Sequence, residues 1–84
     1  MKTTYYTQGT CARRIDLEVE AGIIKSVQFF DGCDGNLQGL TRLVENAGAR
    51  ATIERLRGIR CGRRPTSCPD QLARALEENL ARGE

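Results

Sequence analysis

The sequence predicts an α+β fold, with an antiparallel three-stranded sheet followed by about three helices packed on one of its faces. Three observations lead there. Residues 13–20, "RRIDLEVE", alternate apolar and charged side chains, the period of a half-buried strand. A second run, "IIKSVQFF" at 23–30, follows across a short turn containing Gly22, so the pair reads as an antiparallel hairpin. From residue 37 the apolar spacing becomes helical, in three stretches broken near residue 47 and between Gly58 and Pro69. Strands first and helices after is the order of an α+β layer arrangement.

Each element has its own warrant. Residues 3–8, "TTYYTQ", are β-branched and aromatic and read as a short first strand, which "GTC" ends. In the second strand Ile15, Leu17 and Val19 face one way, and Arg14, Asp16, Glu18 and Glu20 the other. In the third strand Ile23, Val27 and Phe29 are expected on the inner face. Leu37, Leu40, Leu43 and Val44 fall at helical spacing, with Asp34 or Asn36 as the expected cap. Residues 50–57, "RATIERLR", predict a shorter helix with Ile53 and Leu56 inward, ended by Gly58. The last helix is expected from Pro69 to about Arg82, with Leu72, Ala73, Leu76 and Leu80 as its buried stripe.

The 84 residues suit one domain spanning 1–84. A chain of this size buries only roughly 60–65% of its unfolded surface. Without tryptophan, its core must come mainly from Ile, Leu and Val. Domains this small often add a disulfide or metal staple, and four cysteines are available: Cys11, Cys33, Cys61 and Cys68. The N-terminal "MKTTYYTQGT" lacks the apolar run of a secretion signal, and no stretch approaches a membrane span. The expectation is a soluble cytoplasmic protein, where thiols stay reduced. That favours metal binding or redox chemistry over structural disulfides.

The cysteines share a kind of place. Cys11 follows Gly9 in the gap between two strands. Cys33 sits in "DGCDGN" before a helix, Cys61 precedes Gly62, and Cys68 precedes "PD". Proline suits the first helical position and aspartate the first turn, so Cys68 stands at or just before a helix N-terminus, where a thiolate is stabilised. A cysteine acting only as a small hydrophobe is usually buried in an apolar stripe, and none of the four falls in one. Their spacing is not that of a zinc finger, with no C-x2-C pair. The chain has no histidine, so four thiolates are the most economical ligand set, suited to Zn2+ or an iron–sulfur cluster. A closed four-cysteine zinc site would be structural; three cysteines with an exchangeable Asp34 or Asp70 would make a labile one. Cys61 and Cys68 could instead cycle through a disulfide as a redox relay. Cys–His catalysis is excluded by composition, and the carboxylates read as solvated faces, so no enzyme is expected.

Arg55, Arg57, Arg60, Arg63 and Arg64 cluster around Cys61. They read as a solvated helix end and loop, or as compensation for thiolate charge. Four thiolates around one divalent ion leave two net negative charges, which offset the chain's formal +2. Nucleic-acid binding is the weaker alternative, because no aromatics are interleaved among these arginines.

The stretches "TSCPD" at 66–70, "GCDGNLQGL" at 32–40 and "GIRCG" at 58–62 closely resemble the TSCPD-domain family. Its members include small stand-alone proteins with four cysteines, and a related domain at the C-terminus of some adenosylcobalamin-dependent ribonucleotide reductases. The resemblance covers nearly the whole chain and implies a cysteine-bearing accessory module. The order of loop cysteine, hairpin, "GC-x-G" and late cysteine opening the last helix also looks like the NifU-like iron–sulfur scaffold fold. That likeness implies that Cys11, Cys33 and Cys68 converge to hold a metal or cluster. Two positions depart from it: Arg13 stands where the scaffold has an aspartate, and Ser67 where it has a histidine. Cys61 is extra, and the likeness implies it as the replacement for that histidine, the expected fourth ligand. The resulting expectation is a four-cysteine zinc domain that engages a protein partner and no membrane. The alternative is iron–sulfur cluster assembly or carriage.

Overall fold

The computed structural model describes residues 1–10, 12–31 and 34–82. Three strands, β1 (Lys2–Tyr6), β2 (Arg14–Glu20) and β3 (Ile23–Phe30), precede three helices, α1 (Asp34–Val44), α2 (Ala49–Leu56) and α3 (Cys68–Ala81). The sheet has the order β1-β2-β3 and is antiparallel throughout. Its inner face carries Thr3, Ile15, Leu17, Val19, Ile24 and Val27, all buried, with Tyr5 and Phe29 packed at the margin. The alternation read in β2 is therefore the alternation between core and surface.

In β3 the inner face is displaced by one residue. Val19 pairs with Ile24, whereas Glu18 pairs with Ser26, so Lys25 is an extra residue on β3. A bulge of this kind reverses the side-chain phase on either side of it. Ile24 is consequently fully buried, and Ile23, expected inside, is half-buried. The chain at 46–49 then covers the start of β3. The Ile24 amide donates to the Ala47 carbonyl at 2.9 Å, and the Asn46 amide donates to the Ile24 carbonyl at 2.7 Å.

α3 is the central helix. Leu72, Ala73, Ala75 and Leu76 are all fully buried, the leucines each contributing about 1.5–3 kcal/mol by burial. α3 packs on β1 and β2 and against α2, while α1 packs on β3. α2 buries Ala49, Thr52 and Ile53. In α1 Leu37 and Val44 are buried and Leu40 is half-buried, but Leu43 is 81% exposed. Leu43 is one residue from Val44, about 100° around the helix, and so leaves the stripe that Leu37, Leu40 and Val44 form. Asp34 and Asn36 both lie within α1 rather than at a cap outside it. Asn79, buried on α3, donates to the Thr3 hydroxyl at 2.7 Å and to the Met1 carbonyl at 3.1 Å, fastening the last helix to the first strand. Among the described residues no helix is long and apolar enough to cross a membrane.

Candidate metal centre

The site is built around the start of α3. Ser67 is its N-cap, with extended backbone at φ −152°, and its hydroxyl accepts from the Asp70 amide at 3.1 Å. Pro69, in the first turn, has no amide proton to leave unpaired. These two residues make Cys68 the first residue of the helix, among the unpaired amides and the positive end of the dipole.

Thr66 and Asp70 fix the chain around that cysteine. The Asp70 carboxylate is almost fully buried and accepts from the Thr66 hydroxyl, from the Gly58 amide at 2.7 Å and from Arg74 Nε at 3.1 Å. Burial alone would push this carboxyl up. The hydrogen bonds from Thr66 and Gly58, with the Arg74 guanidinium, outweigh burial and hold it below its ordinary 3.8. Gln71 donates to the Thr66 hydroxyl at 2.9 Å and accepts from the Gln8 amide at 3.2 Å. The Ser67 hydroxyl donates to the Ile59 carbonyl at 2.6 Å, and the Cys61 amide donates to the Thr66 carbonyl at 3.1 Å. The loop from Gly58 to Pro65 is thus folded back on the N-terminus of α3, with Gly62 at φ +60° in the turn.

Sequence reasoning placed Asp70 in the first turn but missed its role as a buried organiser. It also missed Thr66 and Gln71. The signal was present in part: Ser67 and Asp70 stand three apart, the spacing of a capping box. Asp70, offered as an exchangeable metal ligand, instead has its carboxylate engaged by Thr66, Gly58 and Arg74.

The described cysteines take different positions. Cys68 is 8% exposed and packs in a small cluster with Ala12, Leu37 and Phe29. Ala12 directly follows Cys11, and Leu37 is four residues beyond Cys33. Cys61 is exposed in the loop and is no part of that cluster. Cys11 and Cys33 lie outside the described residues, as does the side chain of Asp34. Among the described residues no group of three or more His, Cys, Asp or Glu side chains is gathered closely enough to hold a metal ion. In the arginine cluster Arg57 pairs with Glu77 at 3.6 Å, and Arg60, Arg63 and Arg64 are exposed around Cys61.

The segments quoted above, "GIRCG" and "TSCPD", are those that the hydrogen bonds fasten together. The family model of the TSCPD domain matches residues 1–80. The chain belongs to the TSCPD-domain family. No curated protein and no solved structure gives a significant match, so the NifU-like resemblance is not confirmed by comparison. In this TSCPD domain the five letters of the motif divide their work. Thr66 and Asp70 bond each other, Ser67 and Pro69 begin the helix, and Cys68 is presented at its first position.

Proposed function

We propose that this TSCPD domain is a non-enzymatic metal-binding module in which Cys11, Cys33, Cys61 and Cys68 hold one Zn2+. The observation that carries the reading is the packing of Cys68 at the N-terminus of α3 against Ala12 and Leu37. These residues belong to the two segments that bear Cys11 and Cys33. Without histidine, thiolates are the ligands on offer, and they suit zinc. Bound zinc would supply charge neutralisation and a cross-link between three segments, adding to a small core. The loop at 58–65, held to α3 by Asp70 and Ser67, would bring Cys61 in as fourth ligand, in a module that engages a protein partner in the cytoplasm. The family relation makes a ribonucleotide reductase a candidate partner. Metal analysis of protein purified with and without air tests the reading. About one equivalent of zinc is expected; less than about half an equivalent of zinc plus iron, with four reactive thiols, contradicts it.

The exposure of Cys61 favours a second reading. If Cys61 stays in solvent, three cysteines remain for the centre, and an open three-thiolate site suits assembly or carriage of an iron–sulfur cluster. Visible absorption after anaerobic reconstitution separates the two. A colourless protein that retains its zinc argues against the cluster.

A further inference from the structure

The helices cover one face of the sheet and leave the other open. On the open face the register aligns Tyr6 with Arg14 and Arg14 with Phe30. The guanidinium of Arg14 lies over the Phe30 ring, 3.9 Å from its centroid. Tyr6 is 71% exposed. Together with Thr7, Thr10, Ala12, Arg13 and Asp31 these residues line an open cleft of about 650 Å3. Tyr6 offers one exposed ring, and the Arg14 guanidinium, seated on the Phe30 ring, offers a second flat surface; both suit flat partners that stack.

Arginines lie in the cleft and on the loop tied to its neighbouring segment. Arg13, paired with Asp31, lines the cleft. The segment at 8–10 touches the arginine loop's anchor: the Gln8 amide bonds Gln71, and a Cβ on Gly9 would stand 3.1 Å from the Thr66 side chain. The loop carrying Arg60, Arg63 and Arg64 is tied to Thr66 through the Cys61 amide. In the cleft itself Arg13 pairs with Asp31 and Arg14 with Asp16 at 3.3 Å, while the exposed Arg60, Arg63 and Arg64 belong to the loop fastened at Thr66. Farther along the same face Glu18 opposes Lys2, and Glu18 with Asp16 bounds this end.

We propose that this end of the sheet binds a short single-stranded nucleic acid. A base stacks on Tyr6 and another on the Arg14–Phe30 pair, and the phosphates run toward Arg13 and the arginine loop. Stacking is tolerant of sequence, and the arginines supply the phosphate contacts. The arginine cluster alone lacks interleaved aromatics; folding supplies them from two strands distant in sequence. An acidic peptide would satisfy the arginines but leave the aromatic row unused, which is why the strand is the better occupant.

Fluorescence anisotropy of the full chain with a labelled 12-nucleotide single strand tests this, with a duplex of equal length, a mononucleotide and polyglutamate as comparisons. The single strand should bind more tightly than the other three, with affinity falling as salt rises. Tyr6→Ala should weaken it about 5- to 150-fold, the equivalent of ~1–3 kcal/mol for one lost stack. Arg63→Gln with Arg64→Gln should weaken it and flatten the salt dependence. Both sites are exposed, and unchanged circular dichroism confirms that the variants fold. Four results overturn the proposal, the first three of them direct. These three are no binding by the single strand, equal binding by the duplex or polyglutamate, and a folded Tyr6→Ala protein with undiminished affinity. A mononucleotide that binds as tightly as the strand also overturns it, by showing that one base and its phosphate suffice.

Discussion

At the scale of single residues, Asp70 does the most. Its carboxylate joins Thr66, Gly58 and Arg74, so one side chain sets both the start of α3 and the approach of the loop. Asp70→Asn should cost about 1–3 kcal/mol in urea unfolding at neutral pH, as charge-assisted bonds are weakened and a buried partner is left poorly paired. The pH dependence has a definite sign. The carboxyl titrates below 3.8 in the folded chain, so its contribution is complete above that value and is lost as the pH falls through the lower folded value. The difference between the native protein and Asp70→Asn should therefore shrink in strong acid. A difference that stays constant from neutral to strong acid would contradict the assignment. Ser67→Ala removes the cap of α3 and the bond to Ile59, and should lower stability by about 0.5–2 kcal/mol in the same measurement. Pro69 and Asp70 read as a helix start from the sequence alone, because first-turn preferences are local chemistry, whereas the cap at Ser67 goes unread. The burial of Asp70 could not be read there, since it depends on Gly58, twelve residues away, arriving at the same point.

At the scale of elements, the bulge at Lys25 and the stripe of α1 decide which side chains form the core. Ile24→Ala should destabilise by about 2–5 kcal/mol, because it opens a cavity beneath the sheet. Ile23→Ala should cost clearly less, and Leu43→Ala should stay within about 0.5 kcal/mol. Thermal melting of the three variants checks the order; an Ile23 effect larger than that of Ile24 would contradict the observed register. The three strands, three helices and their order were legible in the sequence, because periodicity follows which side meets the core. The phase of β3 was not. "IIK" offers two adjacent isoleucines, and only the pairing of Val19 with Ile24 chooses between them. Leu43 shows the same limit: four apolar residues in 37–44 make too wide a stripe for α1 to bury, and packing against β3 leaves Leu43 outside.

At the scale of the whole molecule, the topology brings distant segments to one end. The residue after Cys11, the first turns of α1 and the start of α3 pack together around Cys68. The loop from Gly58 to Pro65 is fastened beside them by its bonds to Ser67, Asp70 and Thr66. The sequence presents all four cysteines as loop or helix-end residues, and among the described ones Cys61 lies in a loop and Cys68 at the start of α3. It did not separate Cys68, which is buried, from Cys61, which is exposed, because that distinction arises only when α3 docks on the sheet. A metal held by thiolates from these segments would join parts of the chain separated by up to 57 positions, from Cys11 to Cys68. Chelation should then lower the melting temperature or unfold the domain, since metal affinity becomes folding free energy. The measurement that bears most directly on the central claim is the metal content of anaerobically purified protein, made alongside a thiol count. About one zinc per chain, with thiols that react only after chelation, is the predicted result. A metal-free, fully folded chain with four freely reactive thiols would contradict it.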